Sequence, residues 1–150
     1  MSRLNLFIDS SAMVAGIISS QGAARVLLLL AETGHIKLTI SEQVVAEAER
    51  AVARKAPSAL PDLRQAIQTT QAQIVRNPSQ KEVIDNLHLI AHPADVPILL
   101  AAMKANVDFL VTPNRRHFLD DPQVGQQTGL RMGTPGDALN WVRGQLSADC

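Results

Sequence analysis

The chain has 150 residues, 46% of them apolar and 19% charged, with 14 Lys plus Arg balanced by 14 Asp plus Glu. That length supports one core without disulfide or metal staples, and the composition excludes a disordered chain. Zero net charge excludes a strongly basic nucleic-acid coat but leaves room for a locally basic rim, and a lone cysteine, Cys150, excludes an internal disulfide or a cysteine-rich zinc site.

Residues 3–8 of the opening MSRLNLFIDSS form a short apolar run, read as a buried strand, and Asp9 closes it. No signal-peptide core is present, and no apolar run approaches about 18 residues, so no membrane contact is expected and the cytoplasm is the expected compartment. Residues 11–18 and 23–32 follow as apolar helices, the second ended by Gly34. Residues 35–40 alternate as a strand does, and Ser41 is an N-cap candidate for a helix over 42–55. Beyond Pro57 and Pro61, residues 63–73 read as a polar helix and 74–75 as a short strand.

Residues 82–90 are ambiguous, with a helical pattern favoured. Residues 95–105 predict a helix that tolerates Pro97 in its first turn. Strands are predicted over 108–112 and 130–132, and Thr134-Pro135-Gly136-Asp137 has the form of a capping box opening a last helix over 138–146. Strands alternating with helices imply parallel strands joined by right-handed crossovers. The reading is a single α/β domain over 1–150.

Candidate acids stand at the edges of buried elements. Asp9 follows the first strand, Glu47 and Glu49 lie early on the 42–55 helix, and Asp95 opens the DVPILLAAM segment. Asn114, in FLVTPNRRHF, follows a further strand. The carboxyl ends of parallel neighbours share one crevice, and carboxylates gathered there call for a hard cation, Mg²⁺ or Mn²⁺. This chemistry is that of a metal-dependent phosphodiester hydrolase. Each acid also has an ordinary explanation, since Asp9 and Asp95 could be N-caps and Glu47 one of several acids on an amphipathic helix. Periodicity leaves Glu47 and Glu49 equivalent, because they border opposite edges of the apolar stripe.

Other chemistries fit less well. His88 and His92 are four apart, but Leu89 stands where a zinc protease needs glutamate. No glycine-rich phosphate cradle is present, and Ser10 and Ser11 lack the flanking glycines of a nucleophile elbow. An aspartyl phosphohydrolase needs Asp-x-Asp where this chain has Asp9-Ser10-Ser11. With no tyrosine, three phenylalanines and one tryptophan, the chain is poor in base-stacking platforms.

In order, the blocks IDSSAMVAGIISSQG, ISEQVVAEAERAV, ADVPILLAA and DFLVTPNRRHF resemble the PIN-domain family of nucleases. Within it they are most similar to the branch that forms the toxin half of bacterial toxin–antitoxin pairs. The likeness extends to the closing TPGDALNWV. It implies a three-layer α/β/α sandwich around a parallel sheet of four or five strands, and a Mg²⁺- or Mn²⁺-dependent ribonuclease with an antitoxin partner. It places catalytic roles on Asp9, Glu47 (over Glu49), Asp95 and Asn114, with Asp9 and Asp95 holding the metal. Ser11 matches the small residue that supports the first acid, and Arg115 and Arg116 are phosphate-contact candidates in RNA binding. The family often has Asp where Asn114 stands, which implies one tightly held ion and keeps a second reading: a PIN-like module that binds RNA or protein without cleaving. His92 replaces an acid common in relatives and receives no role. Consecutive Leu27–Leu30, with Met13, Val14, Ile17 and Ile18, predict a homodimer through the N-terminal helices.

Overall fold

Leu6, Phe7 and Ile8 are essentially inaccessible to solvent, as befits a strand covered on both faces. In the computed structural model, which describes residues 3–148, they belong to β1 (Leu4–Ile8), the middle strand of a five-stranded parallel sheet. The others are β2 (Ile36–Ser41), β3 (Gln73–Val75), β4 (Phe109–Val111) and β5 (Met132–Gly133). Helices flank the sheet as a three-layer α/β/α sandwich. Cys150 lies outside the described residues.

The strand order is β3-β2-β1-β4-β5. The chain therefore winds outward from β1 in one direction, returns, and winds outward in the other. The reversal falls between β1 and β4, and at such a switch point the loops leaving two adjacent strands diverge and open a crevice at their carboxyl ends. Asp9 follows β1 and Thr112 follows β4, so both stand at this crevice.

Helices connect the strands, and a last one follows β5. Helices α1 (Ser10–Ile18) and α2 (Ala23–Glu32) lead into β2, and α3 (Glu42–Lys55) and α4 (Leu60–Thr69) into β3. Helices α5 (Gln80–Asp85) and α6 (Val96–Lys104) precede β4, α7 (Pro122–Thr128) precedes β5, and α8 (Pro135–Ala148) ends the fold. Among the described residues no single helix is long and apolar enough to cross a membrane.

Capping chemistry accounts for many boundaries. Ser41 Oγ accepts the Val44 N–H at 3.2 Å to open α3. Thr134 and Asp137 cap α8 reciprocally, each side chain accepting the other's backbone N–H, at 3.2 and 3.0 Å. Gly34 ends α2 at φ +83°, where a side chain would be strained. Gly133 lies under α8, and a Cβ there would stand 2.8 Å from Asp137 Cβ and 2.9 Å from Phe109 Cζ.

Three expectations shift. Helix α4 begins at Leu60 rather than at 63, because Pro61 fits its first turn. The ambiguous stretch breaks after Asp85, where Asn86 Nδ2 donates to the Glu82 carbonyl at 2.7 Å, and a 3₁₀ turn follows. Two elements after β4 add to the expected ones: a π-helical turn (Arg115–Leu119) and α7, opened by Asp121 and Pro122. The apolar N-terminal helices are mostly consumed by the core, since Met13, Val14, Ile17, Leu27 and Leu28 are buried. Ile18 and Leu29 remain 45% and 50% exposed.

Candidate active site

Asp9 continues β1 by one residue, its N–H donating to the Val111 carbonyl across the switch point at 3.1 Å. Its side chain caps α1, Oδ1 accepting the Ala12 N–H at 2.9 Å. The carboxyl is 5% exposed, and burial is the main reason its pKa rises from 3.8 to about 6. Hydrogen bonds from the Thr112 hydroxyl and the Ala12 N–H pull the other way and lose to that burial. The negative charges of Asp95 and Glu47 push it up further, so both acids share the electrostatic neighbourhood of Asp9.

The ambiguity on α3 has a geometric answer. Glu49 faces outward, 41% exposed, with one oxygen 3.6 Å from Arg64 Nε. Glu47 faces inward, and its Oε1 is buried without a hydrogen-bond partner. An unpaired buried carboxylate oxygen is costly, and the group that most naturally relieves it is a cation or a held water.

Asp95 ends a 3₁₀ turn (Pro93–Asp95) and precedes α6, yet its side chain makes no cap there. Instead His117 Nδ1 donates to Asp95 Oδ2 at 2.7 Å. The His92 ring stacks on that of His117, with centroids 3.4 Å apart and planes 20° from parallel. Asn114 is engaged in the loop after β4. Its Oδ1 accepts the His117 N–H at 3.1 Å and so starts the π-helical turn, while its own N–H donates to Thr112 Oγ1 at 3.0 Å. That oxygen thus orders the turn that presents His117, with its second lone pair uncommitted.

The basic and hydroxyl candidates are more peripheral. Ser11 is exposed on the first turn of α1 and lines a hollow with Ala51 and Lys55. Arg115 is exposed beside Asp137, whose carboxyl it helps to lower after the larger effect of the Thr134 hydrogen bonds. Arg116 is exposed. The structure adds three residues to the neighbourhood: Thr112 on Asp9, His117 on Asp95, and His92 on His117. A local trace of one was available, since Asn114 and His117 have the spacing of a capped turn. Their side-chain partners lie too far along the chain for any periodicity to reveal.

Among the described residues no group of three or more His, Cys, Asp or Glu side chains is drawn tightly enough together to enclose an ion as arranged. The chemistry of the donors nonetheless suits one. A buried acid whose proton is held to about pH 6, flanked by two further negative charges and an unpartnered carboxylate oxygen, is the environment a hard dication stabilises.

Comparison with known proteins places this arrangement. A family model described as a PIN domain matches residues 5–116. No curated protein matches. Among solved structures, PAE2754 from Pyrobaculum aerophilum is similar at a TM-score of 0.65 and 17% identity, over 94% of this chain and 96% of that one. VapBC2 from Rickettsia felis, solved bound to a DNA fragment from its promoter, is similar at 0.59 and 18%, over 87% and 98%. At such identities the likeness is one of fold.

Proposed function

The chain belongs to the PIN-domain family, and on that premise we propose that it is a Mg²⁺- or Mn²⁺-dependent ribonuclease, an endonuclease serving as the toxin of a toxin–antitoxin pair in the cytoplasm. The observation that carries this reading is the crevice itself, where Asp9 feels the charges of both Asp95 and Glu47 while Glu47 Oε1 has no partner. A buried acid that feels two further carboxylates, one of them with an unpartnered oxygen, does not serve the stability of the fold, for which apolar packing would do better.

Asp9 and Asp95 are the residues that would hold the ion, which when bound lowers the pKa of a water and stabilises charge on the phosphate oxygens. The Thr112 hydroxyl and Ala12 N–H orient the Asp9 carboxylate, and His117 orients that of Asp95. Glu47, through Oε1, accepts a proton from the water that attacks phosphorus as the P–O bond to the leaving strand breaks. Asn114 supports the site by ordering the turn. Ser11, Arg115 and Arg116, all exposed, contact RNA phosphates as the strand crosses the crevice.

Likeness in fold to VapBC2 supports an antitoxin as protein partner. Exposed Ile18 and Leu29, on adjacent N-terminal helices, support a homodimer. Cleavage of a mixed RNA pool with Mn²⁺, and its loss in chelator, tests the reading; cleavage indifferent to chelator would refute the metal assignment. One observation favours a binding module instead: the fourth polar position is neutral, and its oxygen is engaged by the His117 N–H. Absence of metal-dependent cleavage, with RNA binding retained, would decide for that module.

A further inference from the structure

Flat side chains able to receive a base are scarce here. Phe7, Phe109 and Phe118 are buried, and Trp141 packs against Phe109 with its face under Arg131. Of the exposed imidazoles, His35, His88 and His92, the last adjoins the acids. His92 is exposed, stacked at 3.4 Å on His117, which itself donates to Asp95 at 2.7 Å.

We propose that His92 is a base-stacking platform, and that the nucleobase beside the scissile phosphate of a single-stranded RNA continues the His117–His92 stack. This rests on the ribonuclease reading for its substrate but not for its geometry. The platform is built in advance. His117 is held in its ring plane by Asp95 and at its backbone by Asn114, and His92 covers its face. His92 in turn starts the 3₁₀ turn that ends in Asp95, and Pro93 stiffens that turn. A base therefore meets a ring already immobilised, so little side-chain freedom is lost on binding. Histidine serves single-stranded RNA in this way because every base offers a π-face, which gives affinity with little sequence preference. The platform also adjoins the acids, since the His117 ring beneath it bonds Asp95 at 2.7 Å, so a stacked base holds the strand beside the crevice.

The test uses the full chain and single-stranded RNA oligonucleotides carrying 2-aminopurine at successive positions, first in chelator, where a metal-dependent enzyme does not cleave. The wild type is expected to quench 2-aminopurine at one position. His92→Ala should lose that quenching and bind about tenfold more weakly, while His92→Phe, which keeps a flat ring, should retain both. With Mn²⁺, His92→Ala should show a KM raised about tenfold, with kcat and calorimetric Mn²⁺ affinity close to wild type. Unchanged binding and quenching in His92→Ala would overturn the proposal, as would absence of RNA binding by the wild type. A fall in kcat and Mn²⁺ affinity with quenching intact would also overturn it, leaving His92 a mere support for His117. Quenching that depends on His92 without any Mn²⁺-dependent cleavage would uphold the platform and refute the nuclease reading instead.

Discussion

His117 Nδ1 and Asp95 Oδ2 meet at 2.7 Å across 22 residues of sequence, tying the turn after β4 to the start of α6. This contact explains why Asp95, at a helix start, leaves the cap unmade: its carboxylate is turned toward the crevice. Both residues are only partly exposed, His117 at 27% and Asp95 at 18% of the side chain, so the bond is sheltered yet reachable by a substrate.

Stability should depend on pH through Asp9. Its pKa is raised from 3.8 to about 6 on folding, so the folded state holds the proton more tightly than the unfolded chain. Stability is then fully present below 3.8 and is lost as pH rises through about 6, to an extent of about 3 kcal/mol. In chelator, Asp9→Asn, which keeps a capping oxygen for α1, should be more stable than wild type at pH 7.5 and no more stable at pH 4. Thermal unfolding at both pH values checks this, and equal pH profiles for the two proteins would contradict it. Added Mn²⁺ should raise the wild-type Tm above pH 6 and leave that of Asp9→Asn largely unmoved.

The two glutamates of α3 should separate cleanly. Glu47→Gln removes the proton acceptor and should lower RNA cleavage at least 100-fold, on the order of the contribution of one general base. Glu49→Gln loses only an exposed contact to Arg64 and should leave cleavage unchanged and stability within about 0.5 kcal/mol. Rate assays on both variants decide the assignment, and the reverse outcome would transfer the role to Glu49.

Changes at Asp95 and Asn114 test charge. Asp95→Asn keeps an oxygen for His117 but removes one formal charge, so Mn²⁺ affinity should drop and cleavage fall by orders of magnitude, with RNA binding reduced much less. Asn114→Asp keeps the cap on His117 and adds a carboxylate, so it should tighten divalent binding, most clearly at a second ion. Calorimetric titration with Mn²⁺ reads both. Indifference of Mn²⁺ affinity to both changes would remove these residues from the metal site.

Association is tested at the surface the core leaves over. The wild type should scatter light as a dimer at micromolar concentration, and the pair Ile18→Lys with Leu29→Lys should make it monomeric without lowering its Tm appreciably, since both positions are about half exposed. A wild-type monomer would end the dimer proposal.

Gly133→Ala tests the packing that closes the crevice on its β5 side. The added Cβ would stand 2.8 Å from Asp137 Cβ and 2.9 Å from Phe109 Cζ. Overpacking of this kind costs about 1–3 kcal/mol, measurable by denaturant titration, and an unchanged midpoint would mean that α8 shifts freely.

What could be read from residue order was local. The α/β alternation, the run ending at Asp9, Ser41 as a cap and the reciprocal Thr134–Asp137 pair depend on contacts within a few residues, and period and turn chemistry expose them. The candidate acids Asp9 and Asp95 were legible for the same reason, since an acid at the edge of an apolar run stands out. Which α3 glutamate turns inward was not legible from periodicity, because α3 presents Glu47 and Glu49 alike until the surrounding elements cover one and leave the other in solvent; only the family resemblance favoured Glu47. Nor were Thr112, His92 and His117, whose partners stand just after β1, just before α6 and in the turn after β4. Those meetings follow from the reversal of strand order between β1 and β4. Sheet order is set by the burial of whole strands against one another, a long-range balance that leaves no mark on the spacing of neighbouring residues.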